Sequence, residues 1–127
     1  MADTTKKKKI LVIEDDASLG TALCDRFQES GFEALLSVDG ETGLRMAEDK
    51  KPDLILLDII LPRKNGFQFM EEIKQKTELA SIPIVALTNL ESSFDIEHAL
   101  SLGARAYLVK TNYSLSEVVR KIQQILA

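Results

Sequence analysis

Five short apolar runs, at residues 10–13, 34–36, 54–57, 84–87 and 106–109, alternate with longer stretches whose apolar residues recur at helical spacing. The runs lack polar alternation, the pattern of strands covered on both faces, as in a parallel sheet flanked by helices. The second run is the weakest and belongs near an edge. Between the runs, stripes of apolar residues three or four apart predict core-facing helices. They comprise Leu19, Leu23 and Phe27; Phe69, Met70 and Ile73; Ile96, Ala99 and Leu100; and Leu115, Val118, Val119, Ile122, Ile125 and Leu126. A shorter second helix, over 41–49, contains Gly43 and has the least defined ends.

Local punctuation agrees with this periodicity. Gly31 and Gly103 stand where helix C-terminal glycines belong, and Ser114 with Glu117 and Ser92 with Asp95 have capping-box spacing. Five strands alternating with five helices predict a doubly wound α/β domain, and right-handed crossovers leave few topologies. Of these, the flavodoxin-like five-stranded parallel sheet in order 2-1-3-4-5 is expected. Ligands of such sheets bind beyond the carboxyl ends of the strands, near the point where strand order reverses.

A length of 127 residues fits one domain, read as a lysine-rich tail over 1–9 and a folded unit over 10–127 with no effector domain. Apolar residues at 45% and charged residues at 28% fit a globular protein, and no apolar run approaches bilayer length. No secretory signal is visible, so a cytoplasmic location without membrane association is expected. Cys24, the single cysteine, excludes an internal disulfide and reads as a small apolar helix residue. A net charge of −4 argues against direct nucleic-acid binding, which needs a basic face. Lys6, Lys7, Lys8 and Lys9 form the one basic cluster, either a solvated tail or a tether for an anionic partner.

Charge changes the picture most at the strand ends. Glu14, Asp15 and Asp16 follow the first run, Asp58 the third, Thr88 the fourth and Lys110 the fifth, so all converge on one rim. Crowded carboxylates raise one another's pKa unless a cation compensates them. Magnesium, held by one or two carboxylates plus a phosphate, suits an open acidic rim better than a closed calcium cage. With the Lys110 ammonium and the Thr88 hydroxyl it would neutralise a phosphoryl group during transfer, and a carboxylate nucleophile would then yield an aspartyl phosphate.

Four segments carry a family resemblance: residues 10–16 (ILVIEDD), 52–66 (PDLILLDIILPRKNG), 84–88 (IVALT) and 103–110 (GARAYLVK). In order and spacing they resemble the receiver domains of bacterial two-component systems over nearly the whole chain. The resemblance implies a phosphorylation-dependent signalling switch that assists its own phosphorylation and dephosphorylation without being a turnover enzyme. It implies Asp58 as phosphoacceptor; Glu14, Asp15, Asp58 and the Ile60 backbone carbonyl as Mg2+ ligands; and Thr88 and Lys110 as contacts to the phosphoryl group. Tyr107 would report the switch state, Pro62 and Gly66 would shape the loop after Asp58, and Ile60 and Leu90 would set the phosphate lifetime. Asp16 falls outside the acidic pair and is expected to cap the first helix or face water. Expected partners are a sensor histidine kinase or phosphotransfer protein, and a downstream protein or second copy at the fourth and fifth helices.

Two departures from that family stand out. Thr111 follows Lys110 where many receivers have proline, commonly cis; before threonine a cis bond costs about 3–4 kcal/mol, so either the bond is trans and the loop differs or strain is stored. Asn89 is larger than the residue usual after the active-site threonine. His98 lies away from the rim, which argues against a phosphohistidine or metal role. A phosphohydrolase reading lacks its second acid, since Ile60 occupies that position, and a flavin or nucleotide carrier lacks a glycine-rich loop after the first strand. A phosphorylation-independent interaction module with the same shape is the remaining alternative.

Overall fold

The structure, a computed structural model, describes residues 6–127. Five strands, β1 (Lys9–Ile13), β2 (Glu33–Ser37), β3 (Leu54–Leu57), β4 (Ile84–Thr88) and β5 (Ala106–Val109), form one parallel sheet in the order β2-β1-β3-β4-β5. The helices are α1 (Ala17–Glu29), α2 (Gly40–Lys50), α3 (Gly66–Lys74), α4 (Ser93–Ser101) and α5 (Leu115–Leu126). This is the predicted flavodoxin-like architecture.

Side-chain alternation divides the apolar runs between two cores. Ile10, Val12, Leu54, Leu56, Val85, Leu87 and Leu108 join Leu23, Phe27, Val118, Val119 and Ile122 of α1 and α5 on one face. Leu11, Ile13, Ile55, Leu57 and Ile84 join Phe69, Met70, Ile73 and Ala99 on the other. Neighbours in a strand point to opposite faces, so a strand covered on both needs apolar residues throughout. β2, at the edge, is only partly buried. It extends one residue beyond the predicted run at each end, because its ladder to β1 continues through Lys9↔Glu33 and Ile13↔Ser37. The same ladder starts β1 at Lys9, within the stretch expected to be tail, and residues 1–5 of that tail lie outside the described residues.

Helix termini follow their capping chemistry. Asp16 is the N-cap of α1, its Oδ1 accepting from the Ser18 and Leu19 amides at 3.1 and 3.2 Å. Ser114 and Glu117 form the full reciprocal box expected for α5. At α4 only half of the expected box exists: the Ser92 hydroxyl accepts from the Asp95 amide and donates to the Asp95 carboxylate, which therefore does not reach back to the Ser92 amide. Gly31 and Gly103 have φ of 95° and 103°, the left-handed region that glycine enters without steric cost. α2 runs one residue further at each end than predicted, capped by Asp39.

Leu100 corrects the predicted core stripe of α4. Ala99 is the one fully buried residue of the helix and Leu100 is 47% exposed, because a step of one residue turns about 100° away from the core. The Lys110–Thr111 bond is trans, and an unpredicted single turn of 3-10 helix at Lys110–Asn112 carries the chain from β5 toward α5. Among the described residues no helix is long and apolar enough to cross a membrane.

Candidate functional site

Sheet register sets the two buried acids side by side. The Glu14 amide continues the β1 ladder by donating to the Ser37 carbonyl, and the Asp58 amide donates to the Ile13 carbonyl, each at 2.9 Å. With Ile13 paired to Leu57, Glu14 and Asp58 leave adjacent strands at one level. Asp15 and Asp16, one and two residues further, are exposed. Carboxylate oxygens of Glu14, Asp15 and Asp58 lie within 4.8 Å of one another.

Lys110 closes this cluster. Its Nζ donates to Glu14 Oε1 at 2.7 Å and to Asp58 Oδ2 at 2.8 Å, and all three side chains are largely withdrawn from water. Burial pushes the Glu14 carboxyl up to about 7, against the opposing hydrogen bonds from Lys110 and the Asp16 amide. Burial pulls the Lys110 ammonium down, but hydrogen bonds to Asp58 and Glu14 outweigh it and the net shift is upward. The second oxygen of each carboxylate is hydrogen-bonded as well: Asp58 Oδ1 accepts from the Ile60 amide at 3.2 Å and Glu14 Oε2 from the Asp16 amide at 3.1 Å.

Thr88 and Tyr107 are joined through one residue. Thr88, expected just after the fourth strand, is the last residue of β4 and is fully buried. Its hydroxyl oxygen accepts from the Leu90 amide at 3.4 Å, while the Tyr107 hydroxyl donates to the Leu90 carbonyl at 2.7 Å. Burial first, then the charges of Asp95 and Asp58, push the Tyr107 phenol up to about 12, so it remains a donor at neutral pH. Ile60 is 54% exposed, Leu90 is half-buried and Asn89 is exposed.

Between β3 and α3 the chain reverses tightly. The Lys64 amide donates to the Pro62 carbonyl at 2.7 Å across Arg63, whose φ is 67°, the arrangement of a γ-turn. Gly66 then donates to the Ile59 carbonyl at 2.8 Å. A β-carbon on Gly66 would sit 2.7 Å from Ile59 Cα and 2.8 Å from the Asp58 carbonyl oxygen, so this approach requires glycine. His98 stands apart from the rim, its ring stacked on Phe67 at a centroid distance of 4.2 Å.

The rim thus brings together Glu14, Asp15, Asp58 and Lys110, with Thr88 hydrogen-bonded to the Leu90 loop and not to Asp58. Sequence reasoning missed the buried Glu14–Lys110 pair and the Leu90 backbone bridge, neither of which leaves a local signal. The oxygen-only donor set of Glu14, Asp15 and Asp58 suits a hard divalent cation.

Comparison with known proteins places this arrangement. A family model described as the response regulator receiver domain matches residues 10–123, and the chain belongs to that family, whose role is a phosphorylation-dependent switch in two-component signalling. It is 38% identical over 119 residues to the alkaline phosphatase synthesis transcriptional regulatory protein PhoP of Bacillus subtilis, covering 94% of this chain and 48% of that protein. It is 42% identical over 118 residues to the transcriptional regulatory protein CiaR of Streptococcus pneumoniae, covering 93% of this chain and 51% of that protein. The chain therefore spans about half the length of these curated relatives. Among solved structures, the BeF3-activated N-terminal receiver domain of Klebsiella pneumoniae RstA superposes with a TM-score of 0.84 at 28% identity, covering 92% of this chain and 97% of that one.

Proposed function

We propose that this chain accepts a phosphoryl group on Asp58 and converts that event into a change at Tyr107 and the α4–β5–α5 face. The observation that carries the reading is the meeting of the Asp58 carboxylate with two further acids and one lysine at the sheet's carboxyl edge. An Asp58 carboxylate oxygen attacks phosphorus, the bond from phosphorus to the donor's leaving oxygen breaks, and no proton need leave the nucleophile. Lys110 spends two N–H groups on Glu14 and Asp58, leaving a third for a phosphoryl oxygen. Thr88 accepts from Leu90 and so keeps its own hydroxyl proton to donate.

Glu14, Asp15 and Asp58, with the Ile60 carbonyl, would hold Mg2+, which when bound supplies positive charge to the transferring phosphoryl group. Asp15 is the exposed member and its carboxylate is open to an arriving cation, whereas Glu14 is already paired with Lys110. Asp15→Asn is therefore expected to weaken Mg2+ affinity by about tenfold or more in a calorimetric titration. Undiminished affinity would remove Asp15 from the metal shell.

The link from phosphorylation to the surface runs through Leu90. When Thr88 turns to a phosphoryl oxygen, the Leu90 amide loses its partner, and the Leu90 carbonyl that holds Tyr107 moves with the same loop. Phe94, 74% exposed, and Leu100 leave apolar surface on α4 that supports a downstream protein or second copy as the receiver of the signal. A sensor histidine kinase or phosphotransfer protein is the donor this chemistry calls for, in the cytoplasm. Pro62 and Gly66 fix the loop that carries Ile60 past the nucleophile.

Ile60 and Leu90 flank the rim with apolar side chains that cannot orient an attacking water, so the acyl phosphate should be long-lived. Phosphorylation with acetyl phosphate and Mg2+, removal of the donor, and measurement of the decay test both points. Ile60→Asn and Leu90→Glu are expected to accelerate decay. If neither does, side chains elsewhere set the lifetime; no phosphorylation at all would end the functional reading.

A further inference from the structure

The opposite end of the sheet, where β1 and β3 begin, has the reverse electrostatic character. A cavity of about 270 Å³ is lined there by Lys6, Lys7, Lys8, Lys9, Lys51 and Asp53. We propose that this concavity binds a ligand carrying clustered phosphates.

Backbone geometry builds the cup. Lys51 adopts a left-handed conformation, with φ of 47°, which turns the chain out of α2 and back toward β3. The Lys9 ammonium donates to the Lys50 carbonyl at 3.1 Å, tying the start of β1 to the end of α2. Asp53 supports the cup from within: its Oδ2 accepts the Lys9 backbone amide at 2.7 Å and its own amide donates to the Lys9 carbonyl at 2.9 Å. That carboxylate is thus engaged with backbone.

The lysines have little charge compensation. Among the described residues none of the Lys6, Lys7, Lys8, Lys9 and Lys50 ammonium groups has a carboxylate within 4.0 Å, and the Lys51 ammonium has Glu78 at 3.9 Å with both side chains exposed. Glu33, paired with Lys9 across the strands, is a further exposed acid at this edge. Lys6, Lys7 and Lys8, consecutive and exposed, line this concavity beside Lys9 and Lys51, and a multivalent anion relieves the repulsion among their charges.

Composition and size narrow the ligand. The lining has no aromatic ring to stack a base and no arginine fork to read a planar carboxylate, so it responds to charge density, as compact lysine ammoniums do. A cavity of this volume is smaller than the ordinary drug-sized site and suits a few linked phosphates. The acidic rim does not oppose binding. A five-residue strand separates the two ends by about 17 Å, roughly two Debye lengths at physiological salt.

Calorimetric titration of the 127-residue chain with inorganic tripolyphosphate, without Mg2+ and at low and physiological salt, tests the site. Parallel sedimentation with phosphatidylcholine vesicles containing cardiolipin, whose headgroup pairs phosphates, separates a free source from a lipid one. We expect one tripolyphosphate per chain, bound at least about tenfold more weakly by the Lys6→Gln, Lys7→Gln, Lys8→Gln triple variant. These three side chains are exposed and precede β1, and the one backbone bond among them, from the Glu33 amide to the Lys8 carbonyl, does not involve a side chain, so the variant should fold normally. A charge-matched control, Lys74→Gln, Arg105→Gln, Arg120→Gln, neutralises other surfaces and should bind as the parent does. Binding only to cardiolipin vesicles, lost in the triple variant, would support the site and assign it a lipid. Binding to neither probe, or equal losses in the triple variant and the control, would overturn it.

Discussion

Lys110→Ala is expected to lower the melting temperature of the Mg2+-free protein by about 10 °C near pH 8, with most of the loss recovered on adding Mg2+. The lysine was expected from the family resemblance to serve the phosphoryl group, but its position gives it a structural task as well. It bridges the buried carboxylates of Glu14 and Asp58. Removing one partner of a buried ionic cluster costs about 3–5 kcal/mol, and the lower end applies here because Glu14 can take up a proton. Glu14 has a folded pKa raised to about 7, so the folded protein binds more protons than the unfolded chain between the ordinary carboxylate value and 7. Its ionisation therefore lowers stability as pH rises through neutrality, most severely without the lysine. Lys110, whose folded pKa is raised, contributes fully below its unfolded pKa and loses that contribution only as pH rises through the folded one. The deficit of the variant should thus be small in acid, grow through neutral pH and persist at pH 8. A scan in which variant and parent melt together at pH 8 without Mg2+ would show that the bridge does not hold the fold.

Gly66→Ala is expected to destabilise the domain by about 1–3 kcal/mol and to slow labelling by acetyl phosphate. The added carbon would meet Ile59 Cα at 2.7 Å and the Asp58 carbonyl oxygen at 2.8 Å. Backbone atoms cannot swing aside as a flexible side chain would, so the start of α3 must move off the strand end or push the nucleophile's own peptide. The second outcome tilts the Asp58 side chain relative to Lys110 and the Ile60 amide. Denaturant melts and the initial rate of mass gain check the two effects separately. Normal stability together with a normal rate would mean that the loop absorbs the carbon elsewhere.

The fold was legible because burial on two faces leaves an unmistakable trace. Residues 54–57 have no polar member, and Ile55 and Leu56 do go to different cores. Edges and ends were less legible. Glu33 and Ser37 are polar, yet backbone pairing extends β2 over both, and side-chain chemistry does not report backbone pairing. Asn65 and Gln68 form a reciprocal box at α3, with the same three-residue spacing as Ser114 and Glu117 at α5 but with asparagine in place of the usual serine or threonine.

At the site, the strand-end rule placed Glu14, Asp15, Asp58, Thr88 and Lys110 on one rim, since the residues that end or follow the strands of a parallel sheet stand together at its carboxyl edge. It did not reveal that Glu14 turns inward while Asp15 faces solvent. That difference depends on Lys110, which is 96 positions away in sequence and meets Glu14 only once the sheet is assembled. The 3-10 turn at Lys110–Asn112 shows the same limit, because Thr111 excluded nothing but did not specify a conformation.

The phosphoacceptor role proposed for Asp58 at this rim can be read from a single mass. The most direct measurement is the intact mass of the protein after incubation with acetyl phosphate and Mg2+, beside Asp58→Ala treated identically. A gain of one phosphoryl group in the parent, absent in the variant, is the expected result. An unmodified parent, or an equal gain in Asp58→Ala, would contradict it and leave the domain as a phosphorylation-independent module or place the acceptor elsewhere.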